Sequence, residues 1–296
     1  MMKLIAQNDI DRAKWDELVE NQPKTLLYHQ SLFLDPLAEK WMLLVDENYS
    51  CGIPLPYVVR LGKKGLYTPN FIRAIDWLGV KPNDFELKKI KEIILKEFDY
   101  GNILLESKVF EYAKSDRVYQ LLTEPFKLND QAKRSIKKFE KSNFKIIMPE
   151  LNQILNIILD DLKVKVTDLK MTDFERFKNL FSQYPKEKIW SIGVEENNQI
   201  VGGMIFIYWQ NTLHYVKGGC FENAKNKGSM YAMMLKAIEH AEEKKLILDF
   251  GGSNVDGVRR FNLAFGATDK SYFRWSFDNS PWWFKAAKKL KNRLKK

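Results

Sequence analysis

Three short runs in the second half of the chain carry the residues best suited to chemistry. They are Lys217-Gly218-Gly219, Lys227-Gly228-Ser229-Met230 and Leu248-Asp249-Phe250-Gly251-Gly252-Ser253. Arg259-Arg260-Phe261 and Phe265-Gly266-Ala267 close the stretch. The pattern reads strand, glycine turn, helix, strand, glycine turn, helix. A glycine turn that feeds a helix gathers unpaired N–H groups at the positive end of the helix dipole, which suits an anion such as phosphate. Lys225 and Lys227 add positive charge beside Gly228, Ser229 and Met230; the plainer reading is a loop with two solvated lysines. Lys217, at the end of a strand, can reach a phosphate or a carboxylate. His214 and Tyr215 fall on opposite faces of that strand. His214 is either a general base or, more simply, a hydrogen-bonded structural histidine. Asp249 stands near the end of a buried strand and needs partners there. It either accepts N–H groups of the following turn or positions a substrate amine. Gly251 and Gly252 allow positive φ. With Tyr215, Asp249 and Ser253 they form the candidate substrate-binding set.

These residues depend on the elements that hold them. The chain runs twice through a similar order. In the first pass, 3–5 is a strand, and 11–21 a helix capped by Asp11. A second helical stretch, 30–39, is interrupted at Pro36. Strands follow at 41–46 and 53–61, where Pro54 and Pro56 argue for a bulge or an edge. Apolar residues at 87, 90, 94 and 98 mark a helix, and 102–106 and 118–123 read as strands. In the second pass, 130–141 is a basic helix and 144–148 a strand. Helices follow at 151–162 and 172–184, the latter with a capping box from Thr172 and Glu175. A meander spans 189–194, 199–208 and 212–216, with turns at Asn197-Asn198 and Gln210-Asn211. Helix 229–244, strand 246–250, helix 255–265 and strand 271–277 complete the chain. The expected class is α/β, with mixed, mostly antiparallel sheets flanked by helices.

Composition bounds the function. With 296 residues, 45% hydrophobic and 13% aromatic, the chain can bury a substantial core in one large or two ordinary domains. Cys51 and Cys220 make no disulfide framework, so a reduced, cytoplasmic setting is the default. No signal peptide is visible, and no apolar run approaches the roughly 20 residues that span a bilayer. Histidines 29, 214 and 240 are scattered, with no cysteine or second histidine at ligand spacing, which argues against a zinc site. Of the net charge of +10, seven charges lie in residues 281–296, which contain no acid. Positive charge therefore belongs to the tail and not to the body. Trp283, Ala287, Leu290 and Leu294 form one helical stripe there. Such a helix can lie on an anionic membrane face, contact RNA phosphates, or dock its stripe on the body.

Residues 217–267 resemble the second half of the FemA/FemB/FemX-like transferases, a group related to peptidoglycan aminoacyltransferases and built on the acetyltransferase fold called GNAT. Gly228-Ser229 matches the small residues at that family's helix start. Asp249-Phe250-Gly251-Gly252 matches its DFGG-like turn. Phe261-Asn262-Leu263-Ala264-Phe265-Gly266 stands where the family has Phe-Lys-x-x-Phe-Gly. Lys133-Arg134-Ser135-Ile136-Lys137-Lys138 resembles the basic helix that opens the family's second domain. The resemblance implies two tandem GNAT-like domains, at 1–128 and 129–280, before the basic tail, with an acceptor pocket between them. It implies an N-acyltransferase with acyl-CoA or aminoacyl-tRNA as co-substrate and no permanently bound cofactor. The acceptor would be a small-molecule or cell-wall-precursor amine. The 225–230 loop then stands where ordinary GNAT enzymes hold the coenzyme A pyrophosphate, without their full signature. At Asn262 the family lysine is replaced by an amide, which cannot act as an acid but can donate to an oxyanion. Arg260 is an adjacent cation, although helix neighbours point about 100° apart. The catalytic candidates are thus Lys217, His214, Arg260 and Asn262. The competing expectation is a GNAT-like body without catalysis that binds a partner or a membrane surface.

Overall fold

A computed structural model of the chain describes residues 2–23, 26–110, 118–123, 125–165, 169–252 and 256–293. The chain divides into two units, 1–116 with 272–296, and 117–271.

The first unit opens with β1 (Met2–Ala6), α1 (Arg12–Asn21) and α2 (Ser31–Leu37). The Asp11 side chain accepts the Lys14 N–H and caps α1, as expected. Strands β2 (Lys40–Asp46), β3 (Gly52–Arg60) and β4 (Lys63–Tyr67) form a meander. Helix α3 (Asp84–Glu97) then crosses over to β5 (Tyr100–Leu105), which pairs parallel with β4. Pro54 and Pro56 sit where β3 pairs with β2 alone, because β4 reaches only Tyr57–Arg60. Their missing N–H groups therefore interrupt no ladder on the β4 side. Ile90, Ile94 and Phe98 carry the helical stripe into the core, with Trp15, Phe33, Trp41 and Ile103.

The second unit begins with β6 (Val118–Leu122), α4 (Asp130–Glu140), β7 (Lys145–Ile147), α5 (Leu151–Lys165) and α6 (Met171–Gln183). At the start of α6 the carboxylate that turns back is Asp173, which accepts the Lys170 N–H, in place of the Thr172–Glu175 box. Strands β8 (Ile189–Glu196), β9 (Gln199–Trp209) and β10 (Thr212–Cys220) form the meander. Asn197 and Asn198 take positive φ in its first turn, and Gln210 in its second. Then come α7 (Glu222–Asn226), α8 (Ser229–Glu243), β11 (Ile247–Gly252), α9 (Asp256–Leu263) and β12 (Thr268–Ser271). Met204 and Phe206 of β9 enter a core with Met233, Met234, Ala237 and Ile238 of α8. The other face takes α5, where Gly203 leaves room for Ile154 and Gly219 for Ile158.

The chain then returns to the first unit with β13 (Phe273–Asp278) and α10 (Trp282–Arg293). The first sheet runs β1-β2-β3-β4-β5-β13 and the second β12-β6-β11-β10-β9-β8-β7. Each contains one parallel pair joined by a helical crossover, β4-α3-β5 and β10-α8-β11. The linear division at 128 and 280 differs from this pairing. β6 lies beside β11 in the second sheet, and β13 beside β5 in the first. Sequence order alone does not reveal such an exchange, because either strand is locally an ordinary strand.

Candidate active site

Gly218 and Gly219 lie inside β10, not in a turn, and Gly251 and Gly252 lie inside β11. These two strands pair in parallel only over Thr212–His214 and Ile247–Asp249. Each then breaks register. β10 shifts between Tyr215 and Lys217, and β11 shifts between Asp249 and Gly252, with Gly251 at φ +73°. Bulges side by side increase local twist and turn the two strands apart. Beyond them β10 follows β9 alone and β11 follows β6 alone. The facing edges of Lys217–Cys220 and Phe250–Gly252 are left without ladder partners from each other, in the middle of a sheet. A sheet edge so placed offers backbone donors and acceptors to an extended ligand.

The side chains around this opening are set by close fits. Tyr215 packs against Phe206 and runs over Gly218, where a Cβ would fall 2.5 Å from its hydroxyl. On the opposite face a Cβ at Gly219 would meet Asp161 and Ile158 of α5 at 2.9 Å. Burial raises the Tyr215 pKa, and the Asp161 carboxylate adds to it. Lys217 follows the bulge. It is half-buried, and burial is the one cause that lowers its pKa. No carboxylate among the described residues stands against it to restore the charge. An ammonium in that position gives up its proton more readily than an ordinary lysine, or takes an anionic group of a ligand.

His214 and Asp249 close the base of the opening. Both are buried, and His214 Nδ1 stands 3.2 Å from Asp249 Oδ2. Asp249 Oδ1 accepts the Gly251 N–H at 2.8 Å, so this carboxylate holds the β11 bulge. That is the structural role among the two considered for Asp249, and His214 is its buried partner.

Two groups of candidates do not join this site. Asn262 is wholly buried in α9 and donates to Gln120 Oε1 at 2.8 Å. Gln120 in turn donates to Asp269, which is paired with Arg259. Asn262 is therefore tied to β6, two strands from β10 in the sheet order and about 10 Å away at ordinary strand spacing. This polar network gives the amide at the family lysine's position a structural link to β6. Arg260 is exposed on α9. Ser253 lies outside the described residues.

The 225–230 loop is packed against α4. Gly228 has φ +87°, and a Cβ there would fall 2.0 Å from the Ser135 carbonyl oxygen of α4. Ser229 is fully buried, and its hydroxyl has no partner among the described residues. Lys225 pairs with Glu222, and Lys227 is exposed. The Ser135 carbonyl thus takes the space a side chain would need at Gly228 and packs α4 against the start of α8. What sequence reasoning missed is the pair of bulges; the break in alternation at Val216-Lys217 and the in-strand glycines were the available signals.

This architecture was compared with known proteins. No family model and no curated protein matches the sequence. Solved structures do. FemX superposes with a TM-score of 0.63 at 10% identity, covering 93% of this chain and 98% of that one. The fold is the tandem GNAT fold. A tandem GNAT protein from the clavulanic acid biosynthesis pathway gives a TM-score of 0.51 at 10% identity, over 95% and 99% of the chains. The C-terminal domain of a putative lysylphosphatidylglycerol synthetase from Agrobacterium fabrum gives 0.58 at 12% identity, over 96% of both. In this GNAT body the second unit carries the splayed parallel pair, and Lys217 stands on it.

Proposed function

We propose that the protein is an N-acyltransferase that moves an aminoacyl group from an ester donor to an amine. The observation that carries this reading is the opening between β10 and β11 with the unpaired Lys217 beside it. The free strand edges align an amide-bearing acceptor or donor, which supplies orientation. The acceptor amine attacks the acyl carbonyl. Lys217 takes the proton that the nitrogen loses and returns it to the leaving oxygen as the acyl C–O bond breaks. The amine N–C bond formed is an amide, and the donor leaves as an alcohol. Burial suits Lys217 to this work by bringing its pKa below that of a free lysine.

Two features support an aminoacyl-tRNA donor over acyl-CoA. The 225–230 loop lacks the full coenzyme A signature, and α4 exposes Lys133, Arg134, Lys137 and Lys138, with Lys141 just beyond. Cations along one helix suit a run of phosphates. A neighbour named as a lysylphosphatidylglycerol synthetase is, by that name, concerned with an aminoacyl product. The test is direct incubation of the protein with labelled aminoacyl-tRNA or acyl-CoA and a panel of amines, including cell-wall precursors. Amide formed from the tRNA ester, weakened by salt and by Lys133→Glu with Lys137→Glu, is the expected result. Transfer from acyl-CoA alone overturns the donor. Transfer from neither leaves the binding reading, which the structural role of Asn262 favours.

A further inference from the structure

Of the stripe the sequence suggests for α10, Trp283 and Leu290 are exposed, Ala287 is half-buried and Leu294 lies outside the described residues. Among the helix's described side chains Phe284 is the one buried, packed on Tyr100 of β5 with ring centroids 5.3 Å apart. Lys288 extends over the same Tyr100 ring, and Lys285 donates to the Asp278 carbonyl. These contacts fix the rotation of the helix. At about 100° per residue, Trp282, Trp283, Ala286 and Leu290 share an arc of about 100° centred some 150° from Phe284. That arc faces solvent: Trp282 is 81% exposed, Leu290 61% and Trp283 41%. Lys289 borders it, exposed like Lys285 and Lys288. No acid occurs from 281 to 296, against seven lysines and arginines.

We propose that α10 is an interfacial helix that seats the protein on an anionic lipid surface, with Trp282, Trp283 and Leu290 in the headgroup region. A helix that only covers a core turns its large apolar residues inward. Among its described side chains this one buries Phe284 and presents two tryptophans and a leucine outward. Tryptophan prefers the bilayer interface, where its ring is apolar and its N–H stays wet. The surrounding cations, with no acid among them, match a surface of phosphate headgroups and add attraction that falls with salt. The helix lies flat and does not span: no described helix is long and apolar enough to cross a bilayer. The inference stands apart from the transfer reaction and does not need it.

The test is sedimentation of the full chain with vesicles of phosphatidylcholine mixed with phosphatidylglycerol, and with phosphatidylcholine alone. Binding to the mixed vesicles, a blue shift of tryptophan emission and release by salt are expected. Trp282→Ser with Trp283→Ser should lower the partition at least about tenfold. Both residues are exposed, and an unchanged melting curve shows that the fold is kept. Lys289→Glu should weaken binding without removing the blue shift at low salt. Equal binding by the double tryptophan variant overturns the proposal. So does absence of binding to anionic vesicles, self-association that the tryptophan changes abolish, or binding of RNA in place of lipid through this helix.

Discussion

At the scale of single residues, Lys217 and Asn262 make opposite predictions. Among the described residues no acid pairs with Lys217, so Lys217→Met should leave the melting temperature unchanged or raise it while lowering transfer by about 100-fold or more. Asn262→Ala should do the reverse. It strands the buried Gln120 carbonyl, costs about 1–3 kcal/mol in denaturant unfolding, and leaves turnover per folded molecule near wild type. Loss of turnover in folded Asn262→Ala would restore that amide to the chemistry. His29 supplies a pH effect of definite sign. It is fully buried, donates from Nδ1 to the Leu26 carbonyl and accepts the Asp76 N–H at Nε2, and burial lowers its pKa to about 4. The unfolded chain binds the proton first, so this neutral histidine contributes stability above about pH 6.5 that is lost as pH falls through 4. The loss is about 3 kcal/mol. Unfolding curves of wild type and His29→Gln should converge in that window; parallel curves would contradict the assignment. Sequence marked Lys217 and Asp249 because their residue types beside glycines are suggestive. It could not place Asn262, because the deciding partner, Gln120, is 142 positions away.

At the scale of elements, glycines decide how strands and helices approach. Sequence patterns marked the longer helices, the second meander and the helix start at 229, since each is local; β4 and α7 were not read. They read Gly218-Gly219 and Gly251-Gly252 as turns, because glycine also marks turns; in the fold they permit bulges and close packing within strands. Gly228 is the most constrained. Its positive φ and the Ser135 carbonyl both exclude a side chain, so Gly228→Ala should separate α4 from α8 and cost more than the usual ~1 kcal/mol of a strained turn glycine. Melting within one or two degrees of wild type would show that α4 does not press on α8 there. Gly218→Val should displace Tyr215 and cost about 1–3 kcal/mol, with transfer falling further than stability because the opening itself is disturbed. Both are read by comparing melting temperature with turnover.

At the scale of the whole molecule, the tandem GNAT order was legible from a similar element order met twice along the chain together with the family resemblance, although β4 was not read. The exchange of β6 and β13 was not, because pairing between distant strands leaves no local mark. It has a physical consequence. Cutting the chain at 128 gives a first piece without β13 and a second without β6, so β5 and β11 each lose a neighbour. Neither piece should melt cooperatively alone, and mixing them should recover structure, by circular dichroism. Two independently folded halves would contradict the exchange. The central claim remains that acyl transfer occurs at the splay of β10 and β11 with Lys217 moving the proton. The measurement that tests it most directly is the pH dependence of amide formation by wild type and Lys217→Met, using the donor that supports turnover. The account predicts that the wild-type rate rises with pH to a plateau set by a group titrating below the 10.5 of ordinary lysine, and that the variant loses both the rate and that titration. A variant with the wild-type profile would place the chemistry elsewhere.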